Sequence, residues 1–112
     1  QCTARYPAPL SALNLGVIPM LRERYGVPVG LSDHSRETVE GPAAAAALGA
    51  NILEKHYTLS RRLPGPDHPF AIEPDELAAM VKAVRAAEQT RGSGQKTVQD
   101  VEQELHAFAR RG

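Results

Sequence analysis

An α/β protein built on a parallel sheet is the fold class that the sequence predicts, on three observations. Short apolar runs alternate with stretches of helical periodicity, which is the pattern of βαβ units. The runs lie near residues 1, 29 and 52, so they recur roughly every 23 to 28 residues, close to the roughly 30 that one unit of a (β/α)₈ barrel occupies. Two of them end in a histidine, His34 and His56, at the strand end where α/β enzymes build their sites. A doubly wound sheet has the same local pattern, so spacing alone leaves barrel and open sheet as alternatives.

Residues 1–4 read as the end of a strand. Tyr6-Pro7-Ala8-Pro9 then interrupts regular structure, because each proline lacks an N–H and biases its predecessor towards extended geometry. Asn14 is the expected N-cap of a first helix in which Leu15, Ile18, Leu21 and Tyr25 recur at helical spacing, and Gly26 is suited to end it. Pro19 falls inside this stretch and predicts a kinked or late-starting helix. Residues 27–32 are the second strand. A second helix starts at Glu37 or Pro42, runs to Leu48 and is closed by Gly49; the small side chains of Ala43 to Ala47 allow close packing.

Residues 51–57 form the third strand. Pro64, Gly65, Pro66 and Pro69 make residues 61–69 a loop. The third helix has Pro74 at its first position, Asp75 and Glu76 in its first turn, and an apolar stripe of Leu77, Met80, Val81 and Val84 ending before Gly92 and Gly94. Val98, Val101, Leu105 and Phe108 predict a weaker helix running to Arg110-Arg111.

Composition narrows the function. Thirteen Lys and Arg against 13 Asp and Glu leave 112 residues with no net charge, which argues against a general polyanion binder. A hydrophobic fraction of 42% and a charged fraction of 23% are those of an ordinary globular chain. The longest apolar stretch, Ala43 to Leu48, is far short of the roughly 18 residues that cross a bilayer, so neither nucleic acid nor membrane is an expected partner. The first five residues lack the charged and apolar regions of a signal peptide. Cys2, alone, excludes an intrachain disulfide and a Cys-based zinc ribbon, and points to a reducing, cytoplasmic setting. It is expected to be a small buried hydrophobe. Gln1 opens the chain with a strand pattern already running, so the expectation is an excised part of a longer protein.

Alternate strand residues share a face, so Ser32 and His34 point together, as do Ile52, Glu54 and His56. If the two strands are neighbours about 4.8 Å apart, the imidazoles can converge on one divalent ion. Glu54, one layer deeper, could support such an ion or accept a proton. Two ligands are a weak signal, and a third group must come from water, substrate or elsewhere in the chain. One histidine at a strand end is most often a satisfied polar residue; a matched pair brings metal binding level with that plainer reading. Ser32 and Thr3 could each bond a substrate anion or nearby backbone. Asp67 and His68 lie in the proline-stiffened loop, which suits a group that holds a substrate hydroxyl, although turn chemistry alone also favours Asp. Arg61-Arg62 reads as a solvated pair rather than a phosphate clamp, and His106 as a surface residue.

A set of motifs occurs in order along the chain. It comprises Gln1-Cys2-Thr3 with Tyr6-Pro7 and Pro9, Asn14-Leu15, Pro28-Val29-Gly30-Leu31-Ser32-Asp33-His34 and Ala47-Leu48-Gly49-Ala50. Ile52-Leu53-Glu54-Lys55-His56-Tyr57-Thr58-Leu59, Pro64-Gly65-Pro66-Asp67-His68 and Glu73-Pro74-Asp75-Glu76 complete it. From residue 1 to about residue 111 the chain resembles the sialic acid synthase (N-acetylneuraminate synthase) family, with its legionaminate, pseudaminate and spore-coat polysaccharide relatives.

The resemblance implies a partial (β/α)₈ TIM barrel, roughly the last three βα units, over residues 1–95. Residues 96–112 would then be a linker and helix leading to an antifreeze-like domain. It implies condensation of phosphoenolpyruvate with an N-acetylated hexose such as N-acetylmannosamine, giving a nonulosonic (sialic) acid and phosphate. By the same resemblance His34 and His56 are ligands of a divalent metal, Mn²⁺ or Mg²⁺. Glu54 is a catalytic residue supporting the metal-bound water, Ser32 contacts phosphoenolpyruvate, Tyr6 lines the sugar pocket and Asp67 holds sugar hydroxyls. It further implies a homodimeric full-length parent and an inactive segment. Ala4 departs from the family's usual Ser or Asn, a polar contact worth about 1–2 kcal/mol if made. A metal-dependent hydrolase or aldolase, and a non-catalytic barrel relative, are the alternatives.

Overall fold

The structure, a computed structural model, describes residues 1–105. Its centre is a parallel pair of strands, β1 (Gly30–Asp33) and β2 (Ile52–Lys55), with Ser32 opposite Glu54 and Asp33 opposite Lys55. On the other edge of β1 the Gln1 nitrogen donates to Gly30 O at 2.8 Å, Ser32 N donates to Gln1 O at 2.9 Å, and Cys2 forms a parallel bridge with Ser32. The expected strand at residues 1–4 is thus a single bridge. Beyond β2, Tyr57 bridges Ile72 in parallel, a pairing with no expectation in the sequence.

Helix α1 (Val17–Tyr25) starts later than Asn14 would have it. Asn14 takes a left-handed φ of 50°, and Gly16 occupies the N-cap with no side-chain cap bond. Pro19 explains the shift. A proline is tolerated in the first helical turn, where its missing N–H would lack an intrahelical partner in any case; starting at Val17 puts Pro19 there. Gly26 ends the helix as expected, with φ 61° and its N–H donating to Arg22 O at 2.8 Å.

Helix α2 (Glu40–Ala47) lies over β1, and its small residues allow a close approach: Gly41, Pro42, Ala45 and Ala46 are all buried. Helix α3 (Pro74–Gln89) packs on α2 through the buried Met80 and ends at Gln89, before Gly92. Its first turn is held by Glu73 N donating to the Glu76 carboxylate at 3.0 Å. The core is Ile18, Val29, Leu31, Ala45 and Ala50, with Leu15, Leu21 and Leu53 against it. Burial alternates along β1. Leu31 and Asp33 are buried on the helix side, whereas Gly30, Ser32 and His34 are half-buried on the opposite face. On that opposite face of β2, Ile52 and Glu54 are exposed.

The weaker C-terminal helix is a 3₁₀ turn at Asp100–Glu102 followed by helical residues to Leu105; His106, Phe108 and Arg110-Arg111 lie outside the described residues. Among the described residues no helix is long and apolar enough to cross a membrane.

Candidate active site

His34 and His56 follow β1 and β2 directly, and their main chains are pinned. His34 O accepts Ala8 N–H at 2.8 Å, and His56 O accepts Ile72 N–H at 2.9 Å. Alternation then sends both imidazoles to the face away from the helices. The ring centres lie 5.6 Å apart with planes at 69°. Two imidazoles at this separation could hold one divalent ion between them.

Tyr6 fills the space beside them. Its ring centre is 5.0 Å from His34, 4.4 Å from His56 and 5.3 Å from Phe70. Its Oη is buried and has no hydrogen-bond partner among the described residues. Burial, then the negative charges of Asp67 and Asp33, raises the phenol pKa, so at neutral pH the hydroxyl is a neutral donor waiting for an acceptor.

One layer deeper, Ser32 Oγ donates to Glu54 Oε1 at 2.7 Å, as their direct pairing across the strands requires. Asp67 comes from the loop after β2 and shares with His56 a cleft of about 370 Å³ that Gly65, Pro66 and His68 also line. His68 holds this loop in place, its Nδ1 2.7 Å from Thr58 Oγ1. The structure thus gathers Tyr6, Ser32, His34, Glu54, His56 and Asp67 at one end of the sheet.

Of the neighbouring residues, one departs from expectation. Cys2 is exposed, not buried, because its bridge to Ser32 puts it on the site face; its Sγ lies 3.6 Å from His34 Nε2. Thr3 takes the backbone alternative, donating to Ala12 O at 2.6 Å. Arg61 and Arg62 are both exposed, as expected of a solvated pair, and Arg61 in addition pairs with Glu73 at 3.2 Å and with Glu76, tying the loop to the start of α3.

Phe70 and Arg36, whose guanidinium carbon lies 4.8 Å over the Phe70 ring, escaped sequence reasoning because neither sits in a periodic element. The Asp33–Lys55 pair escaped it too, although charges at alternate positions of strands beneath a helix are a signal, since such groups are buried only when paired.

The donor set fits a divalent ion in part. Two imidazoles converge, and an orphaned buried hydroxyl stands beside them. Among the described residues, however, no group of three or more His, Cys, Asp or Glu could hold a metal, so further ligands must come from solvent, substrate or another segment.

These groups lie at the carboxyl ends of parallel strands, where open sheets and barrels of the α/β class place their sites. The chain belongs to the NeuB family, whose model matches residues 1–96. It is 44% identical to the spore coat polysaccharide biosynthesis protein SpsE of Bacillus subtilis, over all of this chain and 34% of that protein. It is 39% identical to the N,N'-diacetyllegionaminic acid synthase of Legionella pneumophila, over 99% of this chain and 31% of that one. In three dimensions it is similar to the N-acetylneuraminic acid (sialic acid) synthetase of Leptospira borgpetersenii, crystallised in complex with citrate. The TM-score is 0.87 at 38% identity, over 97% of this chain and 38% of that one. The chain spans about a third of the length of the curated relatives it matches.

Proposed function

We propose that this chain carries the metal-binding end of a nonulosonic acid synthase, completed by segments like those that make up the rest of its relatives' length. In this reading its strands are the last of a TIM barrel, and the complete protein is a cytoplasmic homodimer. Phosphoenolpyruvate condenses with an N-acetylated hexose of the N-acetylmannosamine type, and phosphate leaves. The observation that carries the reading is the His34–His56 pair, 5.6 Å apart and packed against the ring of Tyr6, whose hydroxyl has no partner among the described residues.

His34 and His56 would hold Mn²⁺ or Mg²⁺, which supplies Lewis-acid polarisation of a carbonyl oxygen when bound. C3 of phosphoenolpyruvate adds to the sugar's aldehyde carbon, water adds at C2, and the adduct loses phosphate. Glu54 accepts the Ser32 hydroxyl on Oε1 and orients the attacking water with its other oxygen, taking its proton. Ser32 contacts phosphoenolpyruvate. Tyr6 Oη donates to a sugar oxygen, which relieves its lack of a partner. Asp67, on the cleft beside His56, accepts sugar hydroxyls. The segment alone is inactive, since the site face of β2 is left uncovered at Ile52 and Glu54.

Phosphate release by the complete protein tests this. The expected result is release that requires phosphoenolpyruvate, the sugar and Mn²⁺ together and is abolished by His34→Ala. Turnover of a single substrate would support the hydrolase or aldolase alternative instead. Activity untouched by His34→Ala would refute the metal assignment.

A further inference from the structure

Behind the two histidines lies an ion pair that none of these roles uses. Asp33 and Lys55 are the residues immediately before His34 and His56, and they are partners across the strands. Alternation sends their side chains under the helices, where Lys55 is 4% and Asp33 1% exposed. Lys55 Nζ lies 2.8 Å from Asp33 Oδ2, 2.8 Å from Ser35 O and 2.7 Å from Glu37 O. An ammonium has three donors, and here each has an acceptor. Asp33 Oδ1 in turn accepts Ser35 N–H at 2.9 Å.

A buried ion pair is a poor source of stability, because desolvation offsets most of its attraction. What it does provide is geometry. The residue before His34 and two carbonyls of the turn after it all meet at one nitrogen, and that nitrogen is carried by the residue before His56. The main chain on both sides of one imidazole is therefore indexed to the strand that carries the other. Strand pairing alone cannot do this, since it ends at Asp33 and Lys55.

We infer that Lys55 is a positioning residue that, through Asp33 and the Ser35 and Glu37 carbonyls, sets the separation and aim of His34 and His56 and thereby the metal affinity of the pair. The inference rests on the metal reading above, and the experiment keeps the two apart. In the complete protein, Mn²⁺ binding is followed by electron paramagnetic resonance for wild type, His34→Ala, Lys55→Met and the double variant Asp33→Asn with Lys55→Met. Thermal unfolding is measured alongside.

The double variant removes both charges, so it leaves no unpaired buried carboxylate and serves if the single variant does not fold. The expected result is a folded double variant whose Mn²⁺ affinity is weaker by about tenfold or more. A lower unfolding temperature with Mn²⁺ affinity unchanged would show a purely structural pair and overturn the inference. If wild type and His34→Ala bind Mn²⁺ alike, the metal reading itself fails. The imidazole resonances of the metal-free protein then decide: those of His34 and His56 shift in the double variant if Lys55 positions them, and stay in place if it does not.

Discussion

Replacing Tyr6 by Phe separates what the phenol hydroxyl costs from what it does. The ring's contacts with His34, His56 and Phe70 survive in Phe; only Oη is lost, and Oη is buried without a partner among the described residues. A buried unpaired hydroxyl costs about 1–3 kcal/mol, so the variant is expected to equal wild type or exceed it by about 1 kcal/mol in urea unfolding of the ligand-free complete protein. Catalysis moves the other way. A hydrogen bond from Oη to a substrate oxygen contributes about 1.5 kcal/mol, so kcat/KM for the sugar falls by about tenfold. The alkaline limb gives a second readout. The phenol pKa is raised in the fold, so above the ordinary value of about 10 the unfolded chain releases its proton first and stability falls as pH rises. The Phe variant lacks this part of the alkaline decline. A variant less stable than wild type by 1 kcal/mol or more at neutral pH would mean that Oη has a partner after all. A stable variant with full kcat/KM would deny the hydroxyl any part in binding.

Two further outcomes follow from geometry. At Gly41 an added Cβ would lie 2.9 Å from Asp33 Oδ2 and 3.2 Å from Leu13 Cδ1, so Gly41→Ala should destabilise the complete protein by about 1–3 kcal/mol in thermal unfolding. Glu76 accepts from Glu73 N, Arg61 and Thr38, which holds its carboxyl below the ordinary value; its contribution is present above about pH 4.5 and disappears as pH falls through the lowered value. Glu76→Gln should flatten that acid limb of the unfolding temperature, and added salt should shrink the difference.

The arrangement of the candidate site was legible in the sequence to the extent that it depends on parity within a strand. His34 with Ser32, and His56 with Glu54, follow from alternation once residues 30–33 and 52–55 are strands, and the structure brings these four together. What depends on register between segments was not legible. Cys2 belongs to the site face only because it pairs with Ser32, and no local pattern announces that pairing. The start of α1 turned on a conflict between two valid local signals, a capping asparagine and a proline that must lie in the first turn, and the proline won because its ring cannot be accommodated deeper. The ion pairs of Arg61 were not legible because its acidic partners, Glu73 and Glu76, stand twelve and fifteen residues away across a loop.

The interleaving of Ser32 and His34 with Asp33, and of Glu54 and His56 with Lys55, makes odd and even positions answer to different masters. A one-residue insertion within Gly30–Asp33 would exchange the sides, turning an imidazole into the helix layer and a charged clamp outwards. A two-residue insertion would restore the sides but advance the chemistry by one rung. The four-residue stretch is thus more sensitive to changes in length than to most changes in identity, and variation in length belongs in the turns that join one strand to the next.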